Sequence, residues 1–223
     1  MGSMNHAGMS FHIEVYSEIV CPWCYVGKRR LEKALALLEP AARPNVGWRP
    51  FELNPTMPAA GMDRKTYLEA KFGSLQRVES MLAQVREAGK QSGIAFAFER
   101  MTRVPNTFDS HRLVWLAEQH GRQEQVVEAF FRGYFEEGID LSDRDALAAL
   151  AEAGGLEGRL IAKCLESDEG VKAVRDEEQK GLQLGIRGVP YFHRDGLAGL
   201  SGAQPPAVMA EWLRQKAREQ APA

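Results

Sequence analysis

Cys21-Pro22-Trp23-Cys24 separates a predicted strand from a predicted helix. Residues 11–16, which precede it, are mostly β-branched or aromatic, which is typical of a strand. Residues 25–39, which follow it, carry apolar side chains at helical spacing with charged residues between them, which predicts a helix. Two cysteines with two intervening residues at the start of such a helix are typical of a redox-active dithiol.

The position of the dithiol predicts different roles for its two thiols. Cys21 lies at the helix N-terminus, where unpaired N–H groups and the helix dipole favour an anion. Such a site lowers a cysteine pKa from about 8.5 to roughly 3.5–7.5. Pro22 suits the first helical turn because it has no N–H to lose there. We therefore predict that Cys21 is the attacking thiolate and Cys24 the buried resolving thiol.

A zinc site is the alternative interpretation of this cysteine pair. Zinc normally takes four protein ligands, commonly from a second Cys or His pair at short spacing. The only other cysteine is Cys164, and the five histidines are scattered. We therefore predict no metal site. Cys164 follows leucine and isoleucine at helical spacing, which favours a small core residue.

Composition excludes several classes of function for the 223-residue chain. A net charge of −2 gives no bulk attraction to nucleic acid or to a membrane surface. No apolar run approaches the length of a membrane span. The first ten residues contain no apolar segment of a signal peptide, so we expect a cytoplasmic protein.

The order of predicted elements indicates an α/β unit with a helical insertion. Residues 11–53 and 185–219 form the predicted discontinuous α/β domain, and residues 54–184 the predicted helical domain. Predicted strands cover residues 45–53, 185–193 and 197–200, and residues 94–98 are predicted as strand or extended chain. Predicted helices cover residues 63–72, 74–91, 106–121, 123–137, 143–153, 156–165, 167–184 and 201–217.

The chain resembles the DsbA-like branch of the thioredoxin superfamily, and most of all its FrnE-type members. That group is related to 2-hydroxychromene-2-carboxylate isomerases and kappa-class glutathione transferases. The resemblance covers residues 11–217. It depends on four segments: Ser17 to Gly27, Pro50 to Pro55, Asn106 to Leu113, and Gly188-Val189-Pro190-Tyr191-Phe192.

The resemblance implies a thioredoxin fold with an inserted all-helical domain and a thiol–disulfide oxidoreductase. It also implies that Pro190 is a cis-proline facing the dithiol, and that the backbone of Val189 pairs with a bound peptide or glutathione. The expected partner is a thiol or disulfide substrate, either a protein or glutathione. No bound cofactor is implied, although glutathione can be a co-substrate.

Two alternatives from other classes remain open. The first is a glutathione-dependent isomerase or transferase that acts on a small aromatic substrate. Those relatives carry serine at the position of Cys21, and this difference favours dithiol chemistry. The second is a binding module without catalytic activity, which the intact Cys-Pro-Trp-Cys motif disfavours.

Several further residues are candidates for the site. Glu18 can raise the pKa of the resolving thiol or accept its proton, or it can be a solvated loop charge. His111 can stabilise a thiolate or bind a ligand carboxylate, or it can be an ordinary helix residue. Pro22, Trp23, Val189 and His111 form the predicted substrate-binding set. Trp23 is expected to be exposed and to pack against substrate, whereas His193 is expected to be peripheral.

Five aromatic residues lie in the predicted helical domain. Trp115, Phe130, Phe131, Tyr134 and Phe135 are expected in the helical core, where some of them can line a groove over Cys21.

Overall fold

A four-stranded mixed sheet carries the dithiol. The computed structural model describes residues 11–215. The strands, in chain order, are β1 (His12–Ser17), β2 (Asn45–Pro50), β3 (Met62–Asp63), β4 (Arg103–Val104), β5 (Tyr191–His193) and β6 (Leu200–Ser201). The main sheet has the order β2-β1-β5-β6, with β1 parallel to β2 and antiparallel to β5. β3 and β4 form a separate small antiparallel sheet.

The helices follow the predicted order. They are α1 (Pro22–Ala36), α2 (Arg64–Phe72), α3 (Leu75–Ser92), α4 (Phe108–Gln119), α5 (Gln123–Arg132), α6 (Arg144–Ala153), α7 (Gly158–Glu166), α8 (Val171–Gln183) and α9 (Pro206–Arg214). Asp63 and Ser74 cap α2 and α3, as predicted, because their side chains accept backbone N–H groups three residues on. No helix within residues 11–215 is long and apolar enough to cross a membrane.

Several predicted elements differ from the structure in type or extent. Residues 94–98 form no strand, and the rings of Phe96 and Phe98 stack 4.7 Å apart instead. The helix predicted over residues 123–137 is α5 followed by a π-helical turn, Gly133–Glu137. Only residues 191–193 of the predicted strand 185–193 pair in the sheet. The chain turns at residues 184–185 and bends at residues 188–190 before it enters β5.

Several sequence predictions fall on residues outside the described part of the chain. The first ten residues, on which the cytoplasmic location depends, are among them. So are residues 216–219, the end of the predicted α/β domain.

Helix α1 joins the sheet to the helical part of the chain. Its Lys28 is buried and forms ion pairs with Glu124 and Glu128 of α5, at 2.6 and 2.8 Å. The ring of Tyr25, also on α1, stacks on Phe131 at 5.1 Å. One hydrophobic cluster therefore extends from β1 and α1 into α4 and α5. The division into two domains at residues 53 and 184 stays a prediction.

Candidate active site

The two thiols differ in position at the start of α1. Cys21 is the N-terminal cap of α1, in extended backbone conformation, and Cys24 lies within the first turn. Both are free thiols, with 7% of Cys21 and 0% of Cys24 exposed. The Cys21 Sγ lies 3.9 Å from the carbonyl oxygen of Val189. The Cys24 Sγ accepts the backbone N–H of Glu18 at 3.5 Å.

The electrostatic environment shifts the pKa values of the two thiols in opposite directions. The hydrogen bond from the Cys24 thiol lowers the pKa of Cys21, and the backbone N–H groups of Cys24 and Trp23 lower it further. Burial and the charge of Glu18 raise this pKa, but the net shift is downward. Burial, followed by the thiol of Cys21, raises the pKa of Cys24 well above its ordinary value. These directions support Cys21 as the nucleophile and Cys24 as the resolving thiol, and the two roles stay predictions.

Pro190 lies against the helix that carries the dithiol. The Val189–Pro190 peptide bond is cis, as predicted. A Cβ added to Gly27 of α1 would lie 2.9 Å from the Pro190 Cγ, so the absence of a side chain allows this close approach. Sequence reasoning did not assign Gly27 to the site, although a glycine inside a predicted helix can signal a close approach of two segments. The structure thus brings together Cys21, Val189 and Pro190.

A cavity of about 350 Å³ opens beside Cys21. We call it the active-site cavity, and its lining includes Cys21, Trp23, Arg64, Leu68, Phe98 and Tyr134. Pro22 also lines it, and Trp23 is 37% exposed, which confirms the predicted exposure of this ring. The predicted aromatic core is confirmed for Phe130, Phe131, Tyr134 and Phe135, which are buried, whereas Trp115 is only partly buried.

Arg64 is an unexpected member of this lining. Burial lowers its pKa, and within residues 11–215 it forms no ion pair with a carboxylate. Its guanidinium carbon lies 5.6 Å from the centroid of Phe98. Sequence reasoning missed Arg64, because its position beside Cys21 depends on how α2 packs.

Glu18 is a buried residue, so the interpretation as a solvated loop charge is wrong. Only 1% of its surface is exposed. Its Oε2 accepts the backbone N–H of Leu53 at 3.0 Å and the hydroxyl of Thr107 at 3.2 Å. Its Oε1 lies 3.3 Å from the Nε2 of His111. These contacts therefore fix the carboxylate in the segment that connects β1 to the dithiol.

His111 lies away from the active-site cavity. It is 3% exposed in the first turns of α4, and it lines a different cavity. Burial lowers its pKa, but the contact with the Glu18 carboxylate outweighs this effect, so the net shift is upward. The structure does not bring His111 to the active-site cavity, and its role in substrate binding stays a prediction.

Cys164 and His193 lie outside the site. Cys164 is fully buried in the hydrophobic cluster, which confirms the prediction of a core residue. Burial raises the pKa of its thiol. His193 lies in β5, where its Nε2 is 3.2 Å from Asp195. Residues 11–215 contain no group of three or more His, Cys, Asp or Glu side chains placed to hold a metal ion.

Comparisons with known proteins find similar folds. A probable DsbA oxidoreductase from Streptomyces coelicolor is 35% identical, with a TM-score of 0.85 over 96% of this chain and 92% of that one. The cytosolic disulfide reductase DsbM from Pseudomonas aeruginosa, solved with GSH, is 19% identical, with a TM-score of 0.63 over 92% of this chain and 100% of that one.

A curated relative and a family model extend these comparisons. The uncharacterized protein YwbO of Bacillus subtilis is 26% identical over 189 residues, which cover 82% of this chain and 86% of YwbO. The family model for the DSBA-like thioredoxin domain matches residues 12–214. The predicted fold, a thioredoxin fold with a helical insertion, is confirmed, and the chain belongs to the DSBA-like thioredoxin domain family.

Proposed function

We propose that this protein is a thiol–disulfide oxidoreductase in which Cys21 attacks and Cys24 resolves. The observation that carries the proposal is the geometry at the start of α1, where Cys21 caps the helix 3.9 Å from the Val189 carbonyl oxygen and Cys24 lies buried in the first turn. The pKa values of the two thiols are shifted in opposite directions, which agrees with this arrangement. A low pKa supplies thiolate for attack, and a high pKa keeps the second thiol protonated until it is needed. The location proposed for this activity is the cytoplasm.

The proposed cycle is two successive thiol–disulfide exchanges. The Cys21 thiolate attacks one sulfur of a substrate disulfide, forms a mixed disulfide and releases the other half of the substrate as a thiolate. Cys24 then loses its proton, and its thiolate attacks the Cys21 sulfur and releases the second substrate thiolate. The dithiol loses two electrons and the substrate disulfide gains them. The same steps in reverse transfer a disulfide to a dithiol substrate.

The active-site cavity suggests which substrates the protein takes. Its lining is mostly apolar, and its volume suits a small molecule or one side chain of a protein substrate. Arg64 adds a positive charge without a carboxylate partner, and a half-buried guanidinium favours an anionic group nearby. We propose glutathione as a co-substrate, because its carboxylates match Arg64 and because the similar DsbM structure contains GSH.

Arg64→Met tests the role of this positive charge. We expect the rate of reaction with oxidised glutathione to fall about tenfold, in line with the loss of about 1.4 kcal/mol from a charge-assisted contact. The rate with a neutral disulfide of similar size, hydroxyethyl disulfide, should stay the same. Lys65→Met, at the neighbouring exposed position of α2, is the matched control. Equal losses with both disulfides would show that Arg64 does not select for charge.

The proposed function is tested by titrating the dithiol in glutathione redox buffers, with the Cys21–Cys24 disulfide detected by mass spectrometry after alkylation. We expect a single two-electron transition between the dithiol and the internal disulfide. The midpoint will distinguish an oxidant from a reductant. A stable glutathione adduct on Cys21 without an internal disulfide would overturn the proposal and favour a glutathione-dependent isomerase or transferase.

A further inference from the structure

The cavity that His111 lines, which we call the second cavity, has no part in the proposed redox cycle. Its volume is about 350 Å³, and it shares no lining residue with the active-site cavity. Its walls come mainly from the end of β2, from α4 and from α8. Exposed Gln119 and Asp176 belong to the lining, so the cavity reaches the surface. Its size and its opening suit a small molecule.

Apolar side chains and two indole rings form much of this lining. Ile19, Val114 and Val174 contribute aliphatic surface. Trp48 is buried, and its Nε1 donates to Glu124 at 2.7 Å, whereas Trp115 is partly buried. A ligand for the second cavity therefore has an apolar body. Indole is also the side chain ring that attracts cations most strongly.

Negative charge exceeds positive charge in the lining of the second cavity. Glu118, Asp176 and Glu177 supply carboxylates, and Arg49 supplies a guanidinium group. Arg49 is already paired, because its Nη1 donates to both oxygens of Glu118 at 2.8 and 2.9 Å and its Nε to Glu14 at 3.0 Å. The lining is thus suited to a positively charged group and repels an anion.

Glu177 has a carboxylate oxygen that lacks a hydrogen-bond donor. Its Oε2 is buried and accepts no hydrogen bond within residues 11–215. The nearest charged nitrogens are the Nε of Arg49 at 3.5 Å and the Nζ of Lys180 at 3.9 Å. Leaving such an oxygen without a donor costs free energy, which an ammonium group in the cavity would recover.

Ser17 is a second unsatisfied group in the same lining. It is 3% exposed, and its hydroxyl finds no oxygen or nitrogen partner within residues 11–215, although it favours the Cys24 thiolate. His111 faces Glu18, whose Oε1 lies 3.3 Å from its Nε2, so a charge on the imidazole is balanced. Buried polar groups of native proteins normally have partners, so the orphaned atoms of Ser17 and Glu177 indicate a polar molecule in the cavity.

We propose that the second cavity is a binding site for a small aromatic amine. The ammonium group of the ligand donates to the Oε2 of Glu177, and its ring system lies among the apolar side chains beside Trp48 and Trp115. A polar ring atom can reach the hydroxyl of Ser17. Binding is noncovalent and uses neither thiol of the dithiol, so this site does not depend on the proposed function.

Isothermal titration calorimetry with three indoles of similar size tests the charge preference. Tryptamine carries an ammonium group, tryptophol a hydroxyl group and indole-3-acetate a carboxylate. We expect the reduced full-length protein to bind one tryptamine per chain. Tryptophol should bind about tenfold more weakly, because it lacks the charge-assisted hydrogen bond, and indole-3-acetate should show no binding.

Substitutions on α8 locate the site. Glu177→Gln should lower the affinity for tryptamine about tenfold and leave that for tryptophol unchanged. Ala173→Phe fills the cavity and should abolish binding of both. Glu178→Gln is the matched control, since this neighbouring glutamate lines neither cavity, and it should keep both affinities. Cys21→Ser should also keep them, because no thiol takes part.

Three results would overturn the proposal. Equal affinity for the three indoles would remove the preference for a cation. Unchanged tryptamine binding in both Glu177→Gln and Ala173→Phe would place the ligand elsewhere, and no binding of tryptamine at all would mean that the cavity holds water only. If Ala173→Phe does not fold, Glu177→Gln alone decides by the ratio of the tryptamine and tryptophol affinities. Failure of the redox titration would leave all these results unaffected.

Discussion

Cys21→Ser is expected to lower the rate of disulfide exchange by roughly 10³-fold or more, as the loss of a nucleophile does in other enzymes. Cys24→Ser is expected to stop the cycle after the first step, because the mixed disulfide on Cys21 can no longer be resolved. Turnover of a disulfide substrate measures the first effect. Intact-protein mass spectrometry measures the second, as an adduct of one substrate half per chain.

The third cysteine provides the control for both variants. Cys164 is fully buried on α7 and does not line the active-site cavity, so Cys164→Ala should retain turnover. Full activity of Cys24→Ser together with tight glutathione binding would contradict the dithiol cycle. Catalysis would then need only one sulfur, and the glutathione-dependent alternative would replace the dithiol cycle.

Lys28→Met is expected to lower the free energy of unfolding by about 2 kcal/mol. This loss is smaller than for a fully buried ion pair, because the carboxylates that pair with Lys28 are partly exposed. Lys28 is 2% exposed, whereas Glu32, Glu124 and Glu128 are 40, 51 and 29% exposed. Without the ammonium group, these carboxylates repel each other between α1 and α5. Urea denaturation measures the loss, which added salt should reduce.

Lys33→Met is the matched control, since Lys33 is an exposed residue of the same helix. Its ammonium donates to the carbonyl of Gln91 and forms no ion pair in the described part of the chain. We expect a change of less than about 0.5 kcal/mol for this surface position. Equal losses for the two variants would show that the charge cluster around Lys28 does not stabilise the fold.

Local signals predicted most of the helices correctly. Asp63 and Ser74 act on N–H groups three residues away, so their capping role is visible in the sequence. The dithiol at the start of α1 is equally local. Of the two alternatives for residues 94–98, the strand is wrong, because a strand needs a partner and the rings of Phe96 and Phe98 stack on each other instead.

The site was harder to predict wherever it depends on contacts between distant segments. The burial of Glu18 could not be predicted, because its partners Leu53, Thr107 and His111 come from three other segments. The place of Arg64 in the lining of the active-site cavity depends on the packing of α2. The separate cavity that His111 lines forms only when α4 and α8 pack together. The resemblance supplied Pro190, which no local pattern would have placed beside the dithiol.

The contacts of α1 determine which segments of this protein can be exchanged in a chimera. Cys21 and Cys24 stand at one end of α1, while Tyr25, Lys28 and Arg29 of the same helix bind α5 and the π-helical turn. A chimera that joins this helical region to another thioredoxin scaffold must therefore carry α1 with it. The redox motif and the helical region that lines the active-site cavity would then be exchanged as one unit.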